Sequence, residues 1–244
     1  MKLSVVIPAH NEEGHIKNAV ESIKNVLVRE SIEYEIVVVN DNSTDKTVEI
    51  VSNLEKQDSG IRLITNKGRN GFGFAVKKGL EKFTGDAVVI TMADSSDDPE
   101  DIVKFYRKLE QGYDCVFGTR FVKEAKLVDY PLFKLLLNRA GNIFIKLLFG
   151  LKYNDVTNAF KCYRREVIKG VSPILSHHFN LTIELPLKAI VRGYSYTVIP
   201  TNWYNREEGV SKWKIKEMGS RYLFVVLYAL IEKYLSRGDY KKDN

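Results

Sequence analysis

The chain has 244 residues, 44% of them apolar and 28% charged, so it can fill a hydrophobic core and is not an intrinsically disordered protein. Its net charge of +6 is uneven: residues 1–120 carry 16 Lys and Arg against 20 Asp and Glu, whereas residues 121–244 carry 21 against 11. A basic back half favours phosphate-containing ligands, with a solvated lysine-rich surface as the alternative.

The first 120 residues alternate between short apolar segments and segments with helical periodicity, the pattern of parallel strands joined by crossover helices. Strands are predicted at residues 3–7, 35–39, 61–64, 87–91 and 115–118. Helices are predicted between them at residues 12–28, 45–54, 74–83 and 99–110. Pro99 suits the first turn of the last of these helices, because its missing N–H costs nothing there.

The pattern is less regular after residue 120. It predicts a loop at 123–130, a long amphipathic helix at 131–148, a strand at 159–163, a helix at 181–192, a strand at 195–199 and a C-terminal helix at 215–235. No repeat or low-complexity linker interrupts the chain. We therefore expect one α/β domain over residues 1–215, with a mostly parallel central sheet flanked by helices, and a C-terminal amphipathic helix and tail over residues 216–244.

Polar residues directly follow three of the predicted strands. The first strand is followed by His10, Asn11 and Glu12, the second by the segment 40–45 (NDNSTD), and the fourth by the segment 94–98 (DSSDD). Because ligands of open parallel sheets bind beyond the carboxyl ends of the strands, these residues predict a polar ligand pocket. At any single strand end, capping of the following helix is the alternative interpretation.

The residue types in this pocket favour a nucleoside diphosphate compound. Carboxylates accept hydrogen bonds from a base or ribose and hold Mg²⁺ or Mn²⁺, which bridge diphosphate oxygens. No P-loop sequence is present. The glycine-rich segment 67–73 (KGRNGFG) lacks the spacing of a dinucleotide fingerprint, so we interpret it as a flexible turn near phosphate or sugar.

Eight segments in chain order carry a family resemblance. The first five are VVIPAHNEE, VVVNDNSTDKT, NKGRNGFGFAVKKGL, VVITMADSSDDPED and VFGTRF, and they resemble the inverting family 2 glycosyltransferases of GT-A fold. The later TNAFKCYRREV, FNLTIELPLKA and WYNREEGVSK are similar to segments of the polyprenyl phosphate glycosyltransferases, typified by dolichyl phosphate mannose synthase. The resemblance covers roughly residues 3–215 and divides them into a nucleotide-sugar-binding half, 1–120, and an acceptor half, 121–215.

The resemblance implies which residues bind the nucleotide sugar. Asp41 matches the aspartate that contacts the base, and the pocket is lined by Pro8, Ala9, Asn11 and Glu12. The position of the first aspartate in the family's DD pair is occupied by Asn40.

The resemblance also implies a divalent metal ion, Mg²⁺ or Mn²⁺, on the donor diphosphate. Asp94 matches the second aspartate of the family's DxD motif, but Met92 stands at the first. Methionine is a poor ligand for a hard cation, so either Asp94 acts with Ser96, Asp97 or water, or metal dependence is weaker than usual.

Basic residues complete the implied site. Arg206 and Lys212 match the residues that contact the departing diphosphate, and Arg120, in GTR, is similar to an arginine near the transferred sugar or the acceptor phosphate. Together with Asp94, these three are the residues expected to carry the transfer. Arg139 and Glu184 are further acceptor candidates, with a surface arginine and a structural ion pair as the respective alternatives.

The C-terminal helix is predicted to contact lipid. The segment 222–235 (YLFVVLYALIEKYL) is apolar and aromatic and is flanked by Lys and Arg, as expected of a helix lying in a lipid interface. A core helix or a dimer contact is the equal alternative.

These observations predict an enzyme that transfers a hexose, with inversion, from a nucleotide sugar such as GDP-mannose or a UDP-hexose to a polyprenyl phosphate. A phosphate acceptor is already anionic near neutral pH and needs no strong base. A second hypothesis is transfer to a sugar hydroxyl, which needs a base among Asp97, Asp98 and Glu184; a third is a non-catalytic nucleotide-binding module. We expect no nucleic-acid partner, since aromatic and basic residues do not interleave, and the oligomeric state stays open.

The expected location is the cytoplasmic face of a membrane, with the protein bound peripherally. Met1 runs directly into a strand-like segment rather than a leader, and no apolar run approaches about 20 residues. The two cysteines, Cys115 and Cys162, are too far apart in sequence for a disulfide framework or a zinc site, which indicates a reducing compartment.

Overall fold

A seven-stranded sheet forms the centre of the fold in the computed structural model, which describes residues 1–205 and 215–242. The strand order is β3-β2-β1-β4-β7-β5-β8, and only β7 runs antiparallel to its neighbours. Its strands are β1 Leu3–Ala9, β2 Tyr34–Asn40, β3 Ile61–Thr65, β4 Ala87–Ile90, β5 Cys115–Thr119, β7 Lys161–Arg164 and β8 Tyr196–Pro200. A small parallel sheet pairs β6 Leu127–Val128 with β9 Trp203–Tyr204.

Eight helices are described around these sheets in the two ranges given above. They are α1 Ile16–Arg29, α2 Thr47–Gln57, α3 Phe72–Lys82, α4 Pro99–Glu110, α5 Leu132–Phe149, α6 Arg165–Gly170, α7 Leu181–Val191 and α8 Ile215–Leu235. Asp98 caps α4 by accepting a hydrogen bond from the Glu100 amide at 3.0 Å, and Pro99 occupies the first turn as predicted.

The central strands are buried on both faces because helices cover both sides of the sheet. Val6 of β1 faces the apolar cluster that contains residues of α3, α7 and α8. Its neighbours Val5 and Ile7 face the opposite cluster, which contains residues of α1 and α4. This alternation explains why β1 reads as a continuous apolar run in the sequence.

The structure confirms the predicted order of long elements and adds four features. β7 was predicted as a strand, but its antiparallel direction was not, and it joins β4 to β5 in the sheet. The short helix α6 and the two-residue strands β6 and β9 were not predicted, because so few residues carry no measurable periodicity. β6 lies inside the segment predicted as a loop, and α1 begins at Ile16 rather than at residue 12.

The C-terminal helix is attached along one face to the rest of the fold. Val225, Val226 and Ala229 are buried in the cluster shared with α7. Arg192 forms a buried bidentate ion pair with Glu232, at 2.7 and 2.9 Å. One face of α8 thus packs in the core, as the alternative to a lipid-contacting helix predicted. Other residues of α8, including Leu223 and Leu235, are exposed.

Candidate functional site

The carboxyl ends of β1, β2 and β4 meet at one edge of the sheet. In the parallel register Ala9 of β1 lies beside Asn40 of β2, and Val6 lies beside Ile90 of β4. The polar segments predicted from the sequence therefore leave the sheet side by side. Each contains one non-glycine residue in the left-handed region, namely Asn11, Asn42 and Ser95, with φ between 55° and 57°. Such backbone positions concentrate at functional sites.

The first two strand-end loops are bound to each other. The Asn11 side-chain oxygen accepts a hydrogen bond from the Thr44 amide at 2.8 Å, and the Glu12 amide donates to the Thr47 hydroxyl at 2.9 Å. Pro8 and Ala9 are the buried last residues of β1, and the Ala9 carbonyl accepts from the Asp41 amide. The four predicted pocket residues of the first strand end thus form one wall with the second loop.

Asp41 connects this wall to the loop that follows β3. It is 5% exposed; one carboxylate oxygen accepts from the Asn66 side-chain amide and the other from the Gly71 amide, both at 2.7 Å. Asn66 also donates to the Arg69 carbonyl and accepts from the Gly68 amide. Neighbouring Asn40 stands at the position of the first aspartate in the family's DD pair. Its side-chain oxygen accepts a hydrogen bond from the Ser43 amide at 2.9 Å within the second loop.

Residues 67–71 of the glycine-rich segment form a connection between β3 and α3, as the sequence suggested, and the segment ends inside α3. Gly73 lies in the first turn of α3, where a Cβ atom would come within 2.4 Å of the His177 backbone. Phe72 stacks on Phe179 and Phe74 stacks on the His177 ring, both with ring centroids 4.4 Å apart. The glycine permits close packing of α3 against the 177–179 segment.

The loop between β4 and α4 holds the predicted metal ligand. Oδ1 of Asp94 accepts from the Ser96 amide at 3.2 Å, while Ser96 itself is 3% exposed and its carbonyl accepts from the Tyr204 amide. Burial and the nearby charge of Asp94 raise the pKa of Asp97 to about 7, although the Thr91 hydroxyl and the Met92 amide donate to it. Met92 thus contacts Asp97 through its backbone amide rather than through its side chain.

The donor set of this loop fits a divalent cation. Two carboxylates close enough for one to disfavour ionisation of the other offer hard oxygen ligands, and a cation between them would relieve their repulsion. Within the two described ranges, no group of three or more His, Cys, Asp or Glu side chains is suited to hold a metal. A cation held here would take its remaining ligands from water or from a bound diphosphate, as is usual for Mg²⁺.

A third strand segment closes this side of the site. Residues 202–205 run beside the loop between β4 and α4 and the first turn of α4. The Tyr204 amide donates to the Ser96 carbonyl of that loop at 3.0 Å, and the Asn202 amide donates to buried Asp101 of α4 at 2.9 Å. The Asn205 amide donates to the carbonyl of Val128, the last residue of β6. Arg206 and Lys212, expected to receive the departing diphosphate, lie outside the described residues, and their roles stay predictions.

Arg120 is held by a carboxylate that the sequence analysis did not single out. Its Nε and Nη2 atoms donate to the two oxygens of Asp155, both at 2.8 Å, and its backbone amide donates to the same carboxylate at 2.9 Å. Burial would lower the pKa of Arg120, but the adjacent Asp155 raises it, so the guanidinium stays charged. The group also lies near the rings of Phe121 and Tyr130.

Arg139 differs from Arg120 because no charged partner contacts it within the part of the chain that the structure describes. Its guanidinium lies 4.7 Å from the centroid of the Phe121 ring, and its Nη1 atom is buried. Among the residues that the structure describes, nothing accepts a hydrogen bond from that atom. A buried cationic donor without an acceptor is the feature expected where an anion binds. The side chain is half-buried rather than fully exposed, and its role at the acceptor stays a prediction.

The surroundings of Glu184 are those of a structural ion pair, which was the alternative to an acceptor role. It is 1% exposed, pairs with Lys188 at 2.6 Å and accepts from the Leu175 and Ser176 amides, both at 2.7 Å. Burial opposes its ionisation, but these amides and Lys188 lower its pKa. Its hydrogen bonds shape the 175–176 turn, and no oxygen is presented to solvent for an acceptor.

Sequence reasoning missed two residues of this region. Asn66 directly follows β3, and the strand-end rule applied to that strand would have found it. Asp155 lies just before the TNAFK motif in a loop without periodicity, and nothing in one sequence indicates that it meets Arg120.

An exposed apolar surface lies beside Arg139. On α5, Leu136 is 60% exposed and Leu147 77%, and Ile143 is also exposed. Leu136 and Ile143 are three residues before and four residues after Arg139, so they share its side of the helix. Lys233 of α8 donates to the Phe149 carbonyl, which links the end of α5 to α8. A search of the described helices found none with the length and apolar character to cross a membrane.

Comparison with known proteins gives a consistent result. The sequence profile of Glycosyl transferase family 2 matches residues 4–171. The dolichol-phosphate mannosyltransferase of Pyrococcus furiosus is 32% identical over 223 residues, covering 88% of this chain and 60% of that protein. The polyprenol monophosphomannose synthase of Mycolicibacterium smegmatis is 28% identical over 214 residues, covering 85% and 79%. The chain thus spans less than two thirds of the length of the Pyrococcus protein.

Solved structures with the same fold confirm the predicted fold class. Glucosyl-3-phosphoglycerate synthase from Mycobacterium tuberculosis, solved with Mn²⁺, uridine diphosphate and glucosyl-3-phosphoglycerate, matches with a TM-score of 0.67 at 20% identity, covering 95% of this chain and 79% of that one. The same enzyme was solved with Mg²⁺ and uridine diphosphate. At this identity the likeness concerns the fold alone.

Proposed function

The chain belongs to glycosyl transferase family 2 and has the GT-A fold, and we propose that it transfers a hexose from a nucleotide sugar to a polyprenyl phosphate with inversion. The names of the Pyrococcus and Mycolicibacterium relatives support this acceptor class. The donor, GDP-mannose or a UDP-hexose, depends on the shape of the pocket around Asp41 and Asn66.

The environment of Arg139 is the observation that carries the proposal. Its buried Nη1 atom has no acceptor among the described residues and so offers an anion site, and Leu136 and Ile143 continue an exposed apolar strip along the same side of α5. A polyprenyl phosphate has this combination of chemistry, an anionic head on a long apolar tail. A sugar hydroxyl would use neither the charge nor the strip.

The reaction needs no protein base with such an acceptor. A phosphate oxygen, ionised at neutral pH, forms a bond to the anomeric carbon while the bond to the donor diphosphate breaks and its electron pair leaves with the nucleotide. The three carboxylates weighed for the hydroxyl-acceptor hypothesis all have partners within the protein: Glu184 binds Lys188, Asp98 caps α4 and accepts from Asn202, and Asp97 accepts from the Thr91 hydroxyl and the Met92 amide.

The donor side is formed by the three strand-end loops. The wall containing Asn11 and Asp41 receives the nucleoside, and Asp94 with Asp97 would hold Mg²⁺ or Mn²⁺ on the diphosphate. When bound, the cation neutralises charge that grows on the departing diphosphate. Arg206 and Lys212 are proposed to do the same from the other side.

The proposal includes peripheral attachment to a membrane surface, on its cytoplasmic face. The exposed residues of α5 and α8 give an apolar surface, and α5 contains three basic and no acidic residues, which suits anionic lipid. Both cysteines are free thiols, in keeping with a reducing compartment.

The test compares the chain with Arg139→Met and, as a matched control on the same helix, Lys146→Met. Purified protein is incubated with Mn²⁺ or Mg²⁺, labelled GDP-mannose, UDP-glucose or UDP-N-acetylglucosamine, and polyprenyl phosphate, and the charged glycolipid is counted. We expect one donor to give product, Arg139→Met to raise the acceptor KM about tenfold or more, and Lys146→Met to act like the parent. No glycolipid from any donor, or transfer to a sugar hydroxyl instead, would contradict the proposal.

A further inference from the structure

A short loop grips the end of β5, the strand that leads into Arg120. We name residues 154–158 the clamp loop. Asn154 accepts from the Thr119 hydroxyl at 2.7 Å and donates to the Phe121 carbonyl at 3.0 Å, and Asn158 donates to the Gly118 carbonyl at 3.0 Å. One loop therefore binds three positions at this strand end, namely Gly118, Thr119 and Phe121.

Asp155 is the charged member of the clamp loop. It is 0% exposed and receives the Nε, Nη2 and backbone N–H groups of Arg120, and its Oδ1 lies 3.4 Å from the Thr157 hydroxyl. Its oxygens are thus engaged and shielded from solvent, which leaves no access for it to remove a proton from an acceptor. The bidentate geometry fixes the plane of the guanidinium as well as its position.

The same loop also positions the helix that carries Arg139. Asn142, one turn further along α5, is 1% exposed; its amide donates to the Thr157 hydroxyl at 2.8 Å and its oxygen accepts from the Thr157 amide at 3.2 Å. Arg120 and Arg139 lie 5.3 and 4.7 Å from the centroid of one ring, that of Phe121. Two arginines from distant parts of the chain are thus brought to one ring by a common support.

We infer that Asp155 is a positioning residue for acceptor binding: it holds Arg120 in a fixed plane beside Arg139, so that both guanidinium groups face the acceptor phosphate. It also offsets the charge of Arg120, which allows a second guanidinium to lie nearby without strong mutual repulsion. Replacing Asp155 therefore acts on acceptor affinity through Arg120. The inference rests on the proposed function.

The experiment uses Asp155→Asn and Glu232→Gln as a matched pair. Each variant neutralises the carboxylate of a buried bidentate arginine pair, but Glu232 and Arg192 lie at the α7–α8 contact. Initial rates give kcat and KM for both substrates, and calorimetry with a short-chain prenyl phosphate gives its Kd. We expect Asp155→Asn to raise the acceptor KM and Kd by about tenfold or more, with the donor KM within twofold. Glu232→Gln should leave all three values within twofold of the parent.

A double-substitution cycle tests whether Asp155 acts through Arg120. In an Arg120→Met background, Asp155→Asn should change the acceptor Kd by less than twofold. If Asp155→Asn folds poorly, Asp155→Glu, which keeps the charge at an altered distance, should give an intermediate Kd. An Asp155→Asn or Asp155→Glu chain that binds prenyl phosphate like the parent would overturn the inference alone. A parent chain that binds no prenyl phosphate would overturn the proposed acceptor, and the inference with it.

Discussion

The contact between Asp41 and Asn66 should make nucleotide binding depend on pH when Asn66 is changed to Asp. The substitution keeps the size of the side chain but replaces an N–H donor, 2.7 Å from Oδ1 of Asp41, with a second carboxylate. Two such charges about 4 Å apart repel by about 4 kcal/mol at an effective dielectric constant near 20. Relaxation of the 66–71 loop should reduce this to about 2 kcal/mol, or about 30-fold in Kd.

The sign of the pH effect follows from the shared proton. Near pH 8 both carboxylates are ionised and the loop is pushed from Asp41, whereas near pH 5 one proton bridges them and restores a hydrogen bond. Calorimetric titration with GDP and UDP, in the presence of Mg²⁺, should show a loss of about 30-fold at pH 8 and less than about threefold at pH 5. Asn53→Asp, which adds the same charge at an exposed position of α2, controls for net charge. Equal losses at both pH values, or no loss at pH 8, would refute the reasoning.

Two further predictions concern stability and membrane contact. Burial would raise the pKa of Glu35, but hydrogen bonds from Ser4, the Thr84 amide and Arg62 lower it to about 2. The contribution of Glu35 to the free energy of unfolding is therefore complete above pH 4.5, and it declines by about 3 kcal/mol as the pH falls towards 2. Urea unfolding should show that Glu35→Gln removes most of this decline and that exposed Glu33→Gln does not. The prediction would be refuted if the free energy of unfolding fell with pH equally in the parent and in Glu35→Gln. On α5, Leu147→Glu should lower binding to anionic vesicles about fivefold or more in sedimentation assays, and Val28→Glu on α1 should not; equal binding by both variants would exclude this surface.

The sequence was sufficient for the donor half because strong patterns and topology determine it together. Runs such as residues 3–7 are apolar throughout, and parallel strands necessarily bring their carboxyl ends to one edge. That is why the sequence alone predicts that the loops containing Asn11, Asp41 and Asp94 leave one edge of the sheet, and the register of β1, β2 and β4 agrees with this. The motifs of the family supplied their individual roles, which stay predictions.

The acceptor half was less predictable because its important contacts join residues far apart in the chain. Asp155 and Arg120 are separated by 35 positions. Arg139 stands out because its buried Nη1 atom has no acceptor among the described residues. A single sequence contains neither kind of information. Glu184 shows the reverse case: its carboxylate suggested a site, but Lys188 one turn later and two backbone amides engage it.

The arrangement of α5 has a consequence for how substrates meet. Arg139 and the strip formed by Leu136, Ile143 and Leu147 share one side of a helix. If the acceptor is the proposed polyprenyl phosphate, its head can reach the guanidinium while its tail remains among other lipids. Acceptor and product would then arrive and depart by lateral diffusion, without being extracted into water. Turnover on vesicles should follow the mole fraction of acceptor in the bilayer rather than its bulk concentration.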